Sequence, residues 1–233
     1  MDSLEIWRFL AGIGFFIYGM GQLEKVLKNA SGRSLKLFIS RNTQSLFKAI
    51  AIGTIVTGLA QSSSVVSLIV LAFVEAGVIT FRNALGLILG ANLGTTLSNW
   101  IVATIGFKTN VTNFALPFVA VGAIAMFLFE KKQKIYNIFS ILFSIGILFL
   151  GLGFMKESAE IVATKVDLSL YTNHGILFYI LFGFVLTAII QASSATIAIT
   201  LTALYTNILD FPSAIAIVIG SEVGTTIKIL LWA

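Results

Sequence analysis

The chain has 233 residues, of which 58% are hydrophobic and 11% charged, and a mean hydropathy of +1.00. Soluble domains carry roughly 25% charged residues, so this sequence cannot coat a water-exposed surface and reads as an integral membrane protein. Its net charge of +5 bears on orientation across a bilayer before it bears on any nucleic-acid partner, and a chain without cysteine says nothing about redox compartment.

The first apolar segment, Trp7 to Leu27, follows the acidic start Met1-Asp2-Ser3-Leu4-Glu5 and has no small-residue cleavage site behind it. It is expected to stay as a transmembrane helix rather than be removed as a signal peptide. A basic stretch follows, and residues 29 to 45, with Leu35, Leu37, Phe38 and Ile39 among lysines and arginines, read either as an interfacial helix or as a basic loop. Further full spans are expected at about 83–105, 112–129, 136–155 and 212–232, as helices, because the ~10-residue alternation of an outer-membrane barrel is missing.

Two stretches do not fit that series. Residues 46 to 80 would form a helix of about 52 Å at ~1.5 Å per residue, too long for a bilayer core of about 30 Å and too short for two spans with a turn. A re-entrant hairpin broken at Gln61 to Ser64 satisfies the length. Residues 176 to 207 repeat the mismatch and the solution, with the break at Gln191 to Ser194.

Loop charges give an orientation. Lys25, Lys28, Arg33, Lys36, Arg41 and Lys48 face only Glu24 between positions 24 and 48, and Lys131, Lys132 and Lys134 crowd the loop after Glu130. Both are expected on the cytoplasmic side. The segment Lys156 to His174 carries Lys156 and Lys165 against Glu157, Glu160 and Asp167, and is expected outside, as is the N-terminus. Three spans separate the two equivalent loops when a hairpin counts as no crossing, so the halves, 1–130 and 131–233, are expected to be inverted relative to each other.

The halves are also alike in sequence. Gln61-Ser62-Ser63-Ser64 returns as Gln191-Ala192-Ser193-Ser194, and Gly94-Thr95-Thr96 as Gly224-Thr225-Thr226, both 130 residues further on. Upstream, Gly14, Gly19 and Gly21 match Gly146, Gly151 and Gly153, so each half begins with a helix suited to close packing. The second half reaches Ala233, the partner of Ala103, and is expected to lack a counterpart of the span at 112–129, as in a shortened form.

A helix interrupted inside a membrane leaves amides and carbonyls that lipid cannot satisfy. The amides and serine hydroxyls that restart a half-helix suit an oxyanion, and the carbonyls that end the preceding one, with a glutamine side-chain oxygen, suit a hard cation. Gly90-Ala91-Asn92-Leu93-Gly94-Thr95-Thr96 and Gly220-Ser221-Glu222-Val223-Gly224-Thr225-Thr226 are expected to break in the same way, their glycines allowing an unwound turn. Serine, threonine and glycine also simply pack transmembrane helices; recurrence of two motifs at one offset favours a site. Thr57 and Thr187 are expected to bond back to their own helices. Glu222 stands where the first half has Asn92 and is assigned to cation binding or proton coupling; Lys228, six residues on, is off the same-face spacing for a partner. His174 reads as a surface histidine, Asn110-Val111-Thr112 as a weak glycosylation match, and no nucleotide loop, metal cluster or nucleophile-base pair points to an enzyme.

Gln61-Ser62-Ser63-Ser64 followed by Gly90 to Thr96, repeated in inverted halves, resembles the type II sodium-phosphate cotransporters, over nearly the whole chain. The resemblance implies an all-α membrane fold of two inverted-topology repeats, each with a re-entrant hairpin and a broken transmembrane helix. It implies sodium-driven symport of inorganic phosphate by alternating access in a multi-pass cell-membrane protein, with a homodimer as the assembly. Phosphate would be held by Ser62, Ser63, Ser64, Ser193, Ser194, Thr95 and Thr225, and sodium by Gln61, Gln191, Asn92, Thr96, Glu222 and Thr226. Glu222 in place of asparagine and the missing last span depart from the pattern. The alternative is a non-transporting regulatory or scaffold relative of the same fold.

Overall fold

The computed structural model describes residues 3–43, 45–108, 111–165 and 174–232, which form nine helices and no strand: α1 (Ser3–Asn42), α2 (Leu46–Ala60), α3 (Ser63–Glu75), α4 (Phe81–Lys108), α5 (Val111–Leu128), α6 (Gln133–Lys165), α7 (Ile176–Ile190), α8 (Ser193–Tyr205) and α9 (Phe211–Trp232). Asn110 of the glycosylation match lies outside the described residues. Large apolar side chains face outward on many helices, among them Phe47, Ile189 and Phe127, at 84%, 74% and 82% exposed. Such outward apolar faces suit lipid rather than water, and the protein is a membrane protein. Among the described residues, two helical stretches, Phe81–Thr104 and Gln133–Ile161, are long and apolar enough to cross a bilayer.

The basic stretch after position 28 is helix, because α1 continues to Asn42. Its far end is anchored by Ile39, fully buried in a cluster with Ala49, Val56, Val66, Leu87 and Ala91. Likewise Lys156 to Lys165, read as loop, continues α6, with Arg8 reaching Glu157 at 3.2 Å and Lys156 over the Tyr205 ring at 4.7 Å. Helical propensity and burial on one face outweighed the charge density that suggested loops.

The chain divides into two compact units, Gln22–Ile101 with Ile229–Ala233, and Met1–Gly21 with Val102–Lys228. The first unit holds α2, α3 and most of α4. In the second, α1 and α6 meet where a Cβ on Gly12 would lie 2.8 Å from the Gly151 carbonyl and one on Gly19 would lie 2.8 Å from the Leu148 amide. Gly14 and Gly21, which the repeat singled out, have open space beside them. Of the glycines the sequence match marks, Gly19 and Gly151 enter this seam together with the unmarked Gly12.

A segment of one unit matches a segment of the other, helix start for helix start. α2, α3 and α4 start at Leu46, Ser63 and Phe81; α7, α8 and α9 start at Ile176, Ser193 and Phe211. Thr80 Oγ1 accepts from the Asn83 amide at 3.4 Å and caps α4; Asp210 Oδ1 accepts from the Ser213 amide at 3.1 Å and caps α9. The turn before each cap closes through a left-handed residue, Gly77 at φ 66° and Asn207 at φ 58°, with Val78 N donating to Phe73 O and Ile208 N to Ala203 O, both at 2.8 Å. Glycine and asparagine are the residues that take this conformation most readily.

Candidate functional site

Each segment is broken where the sequence motif places the break. α2 ends at Gln61, which has φ 53° and ψ 26° and whose amide donates to Thr57 O at 2.8 Å. α7 ends at Gln191, φ 59° and ψ 23°, its amide donating to Thr187 O at 2.7 Å. The next residue is extended in both, Ser62 at φ −150° and Ala192 at φ −145°, and a new helix starts at once. The helices on either side have 15 and 13 residues, about 22 and 20 Å, so none of them spans a bilayer core of about 30 Å by itself.

A left-handed residue with a Cβ is disfavoured by roughly 1–2 kcal/mol. At the α3–α4 and α8–α9 turns the chain answers with glycine and asparagine; at the two breaks it keeps glutamine both times. The backbone does not call for glutamine at either break. Gln61 Nε2 donates to Gly58 O at 2.5 Å, which leaves Oε1 available as an acceptor. The Gln191 side chain is exposed.

The second pair of expected breaks does not form. α4 runs unbroken through Gly90 to Thr96, and α9 through Gly220 to Thr226. Their glycines are spent on a seam instead. A Cβ on Gly90 would collide with the Ile50 carbonyl, and one on Gly94 would lie 2.6 Å from the Thr54 carbonyl and 2.8 Å from Thr57 Cβ. In the other segment Gly220 meets the Ile180 carbonyl, and Gly224 lies 2.6 Å from the Phe184 carbonyl and 2.9 Å from Thr187 Cβ. Gly53 against the Leu87 carbonyl and Gly183 against the Ile217 carbonyl complete the match. Close backbone approach, not unwinding, is what these glycines provide.

The threonines after the seam bond to their own helix, Thr95 Oγ1 to Ala91 O at 3.1 Å and Thr96 Oγ1 to Asn92 O at 3.0 Å, Thr225 Oγ1 to Ser221 O at 3.1 Å and Thr226 Oγ1 to Val223 O at 2.6 Å. A hydroxyl that donates in this way keeps acceptor lone pairs. The seam sets Gly94 against Thr57 and Gly58, one turn before the first break, so Gln61 to Ser64 and the Asn92 to Thr96 region lie on neighbouring helices. In the second segment Glu222, on α9, is half-buried. Ser62, Ser64 and Ser193 are buried, Ser63 and Ser194 half-buried, and Asn92 exposed. The two breaks fall in different units.

Polar partners separate the segments. Ser62 Oγ accepts from the Val65 amide at 3.4 Å and caps α3, whereas Ala192 gives α8 no side-chain cap. Thr187 and Thr196, both fully buried, share a hydroxyl hydrogen bond of 2.8 Å. Thr57, the counterpart of Thr187, is equally buried and has no partner, since Val66 stands where the other segment has Thr196. Neither threonine bonds back to its own helix as expected. Thr196 escaped the sequence reading, although it is a polar residue standing where the repeat has valine. His174 packs on Phe178 at 4.5 Å, and no group of three or more potential metal ligands occurs among the described residues.

Comparison with known proteins places these segments in a family. The Na+/Pi-cotransporter family matches residues 15–157 and 166–233. The uncharacterized protein YqeW of Bacillus subtilis is 30% identical over 233 residues, covering 99% of this chain and 74% of that protein. The putative inorganic phosphate export protein YjbB of Escherichia coli is 24% identical over 231 residues, 98% of this chain but 41% of that protein. Human sodium-dependent phosphate transport protein 2B is 34% identical over 111 residues, 42% of this chain and 16% of that protein. No solved structure matches. With the family match running through both glutamine breaks and both glycine seams, the chain belongs to the Na+/Pi-cotransporter family.

Proposed function

We propose that the protein is a secondary transporter that couples inorganic phosphate to sodium by alternating access, with each of its two glutamine breaks contributing ligands. The observation that carries this reading is the glutamine retained twice at a left-handed helix terminus, where glycine or asparagine would be cheaper for the backbone. In this reading α2–α3 and α7–α8 are re-entrant hairpins in inverted halves, 1–130 and 131–233, of a multi-pass cell-membrane protein with its N-terminus outside, assembled as a homodimer. Phosphate is held by Ser62, Ser63, Ser64, Ser193, Ser194, Thr95 and Thr225. Sodium, the co-transported ion, is held by oxygens of Gln61, Gln191, Asn92, Thr96, Glu222 and Thr226. The name of the human relative, a sodium-dependent phosphate transport protein, supports the coupling ion.

The test is labelled-phosphate uptake into proteoliposomes of the purified protein. An inward sodium gradient is expected to drive accumulation that an equal potassium gradient does not. Gln61→Gly and Gln191→Gly relieve the left-handed strain, so both are expected to fold at least as well as the wild type while losing uptake by about tenfold or more, the worth of a ~1.4 kcal/mol ligand. Undiminished uptake by both variants overturns the reading. The name of the Escherichia coli relative, a putative inorganic phosphate export protein, favours a second reading, export; phosphate efflux indifferent to sodium would select it. Cysteines placed at Lys36, Lys132 and Lys165 of this cysteine-free chain are expected to react with an impermeant reagent in intact cells only at 165, and the reverse pattern removes the inverted orientation.

A further inference from the structure

The part of α1 beyond Gln22 borders, with α2 and α3, a cavity of about 690 Å³ that lies wholly within the first unit. Its α1 wall is polar, lined by Glu24, Lys28, Asn29 and Lys36. The α3 wall consists of Val65, Leu68, Ile69 and Ala72, the i, i+3, i+4, i+7 series that makes one apolar face of a helix. The cavity reaches the first break, since Ala60 and Val65, the residues on either side of Gln61 to Ser64, both line it. Among the described residues the ion pairs are those of Arg8 with Glu5 and Glu157, so Lys28 and Lys36 form none. Two lysines against the single Glu24 leave this wall with one net positive charge.

We propose that this cavity is a binding site for an anionic phospholipid, with the phosphate group on Lys28 and Lys36 and an acyl chain along the apolar face of α3. A free inorganic phosphate would find no donor on Val65, Leu68, Ile69 or Ala72, and would lose hydration against them without replacement. A neutral acyl chain would strip water from two ammonium groups and give them no counter-charge. A phosphodiester joined to hydrocarbon meets both walls at once, while the lysine stems lie along apolar surface and their heads reach the headgroup. The volume, about 690 Å³, is within the roughly 300–1,000 Å³ of small-ligand pockets. It takes a headgroup and the upper part of a chain, and the remainder of the lipid stays in the bilayer. Both lysines belong to the basic stretch expected on the cytoplasmic side, and basic pockets between helices at that face bind anionic headgroups. None of these cavity residues is among those assigned to phosphate or sodium, so the inference stands apart from the transport reading.

Native mass spectrometry of the purified full chain, in a neutral detergent holding equal amounts of phosphatidylglycerol and phosphatidylcholine, tests this. Wild type is expected to retain phosphatidylglycerol about tenfold or more over phosphatidylcholine, the effect of two lysines beside one anionic headgroup. Lys28→Gln combined with Lys36→Gln changes two exposed positions with little loss of helix propensity, and is expected to bring that ratio close to one. Lys131→Gln combined with Lys132→Gln removes the same charge from exposed positions of the other unit and is expected to leave the ratio unchanged. Ala72→Phe, at an exposed position, fills the apolar wall and is expected to lower phosphatidylglycerol retention several-fold with every charge in place. Inorganic phosphate in large excess is expected not to displace the lipid. Equal retention of the two lipids by wild type, an equal loss of preference in both lysine pairs, or undiminished retention by Ala72→Phe overturns the assignment. Displacement by inorganic phosphate overturns it too, and gives the cavity to the free anion.

Discussion

The segments 46–108 and 176–232 share a backbone and differ in what their side chains do with it. Both break at a left-handed glutamine, both close through a left-handed turn residue, and both bring a pair of glycines against carbonyls of the preceding hairpin. Ser62 against Ala192, Val66 against Thr196 and Asn92 against Glu222 then give each break its own polar surroundings. Duplication preserved the parts whose failure would alter the backbone, and let the hydrogen-bonding parts diverge.

The sharpest way to break this comparison is at the seams. Gly90→Ala and Gly220→Ala each drive a methyl group into a carbonyl and are expected to destabilise by about 3 kcal/mol or more, at the top of the range for overpacking. Thermal unfolding in detergent measures it. Gly58→Ala, a control with open space beside it, should be neutral or stabilising by up to ~1 kcal/mol, because alanine favours helix. Equal tolerance of all three substitutions would mean the seams are not tight.

A smaller effect tests the divergence. Thr196→Val strips Thr187 of its partner and copies the first segment, leaving a buried hydroxyl unsatisfied at a cost of about 1–3 kcal/mol. Val66→Thr is the converse, offering Thr57 the partner it lacks, and is expected to raise stability by about 0.5–1.5 kcal/mol. If both changes lower the unfolding temperature, the threonine pair is not transferable between the segments. Smallest of all, Ser62→Ala should cost roughly 0.5–1 kcal/mol, the low end for a cap, given its long 3.4 Å bond. Ala192→Ser should restore a cap to α8 and recover a similar amount.

The helix breaks were legible because length and polarity conflict there: the 35-residue stretch 46–80 is too long for one span, and Gln61 and Gln191 mark the places where the helices are interrupted. The helix boundaries of α4 and α9 followed from their apolar runs and turn residues. The expected breaks at Gly90 and Gly220 failed for a reason the chain alone does not display. A glycine can permit unwinding or close approach, and only the neighbouring carbonyls of Ile50 and Ile180 decide which. Charge left 29–42 open between helix and loop and misled at 156–165, since lysines and arginines on a helix look the same in sequence as on a loop. The hydrogen bond between Thr187 and Thr196 joins α7 to α8 across the break, beyond any local spacing rule.

Gly86, Gly90 and Gly94 stand four residues apart on α4 and receive the carbonyls of Leu46, Ile50 and Thr54, themselves four apart on α2. The two helices engage like a rack and its teeth. A slip of less than one helical turn would press the side chains of Leu87 or Ala91 onto those oxygens, so any sliding between α2 and α4 comes in whole steps of about 5.4 Å. The counterpart of Gly86 in the second segment is Ala216, whose methyl group would be carried onto the notch of Gly220 by the same step.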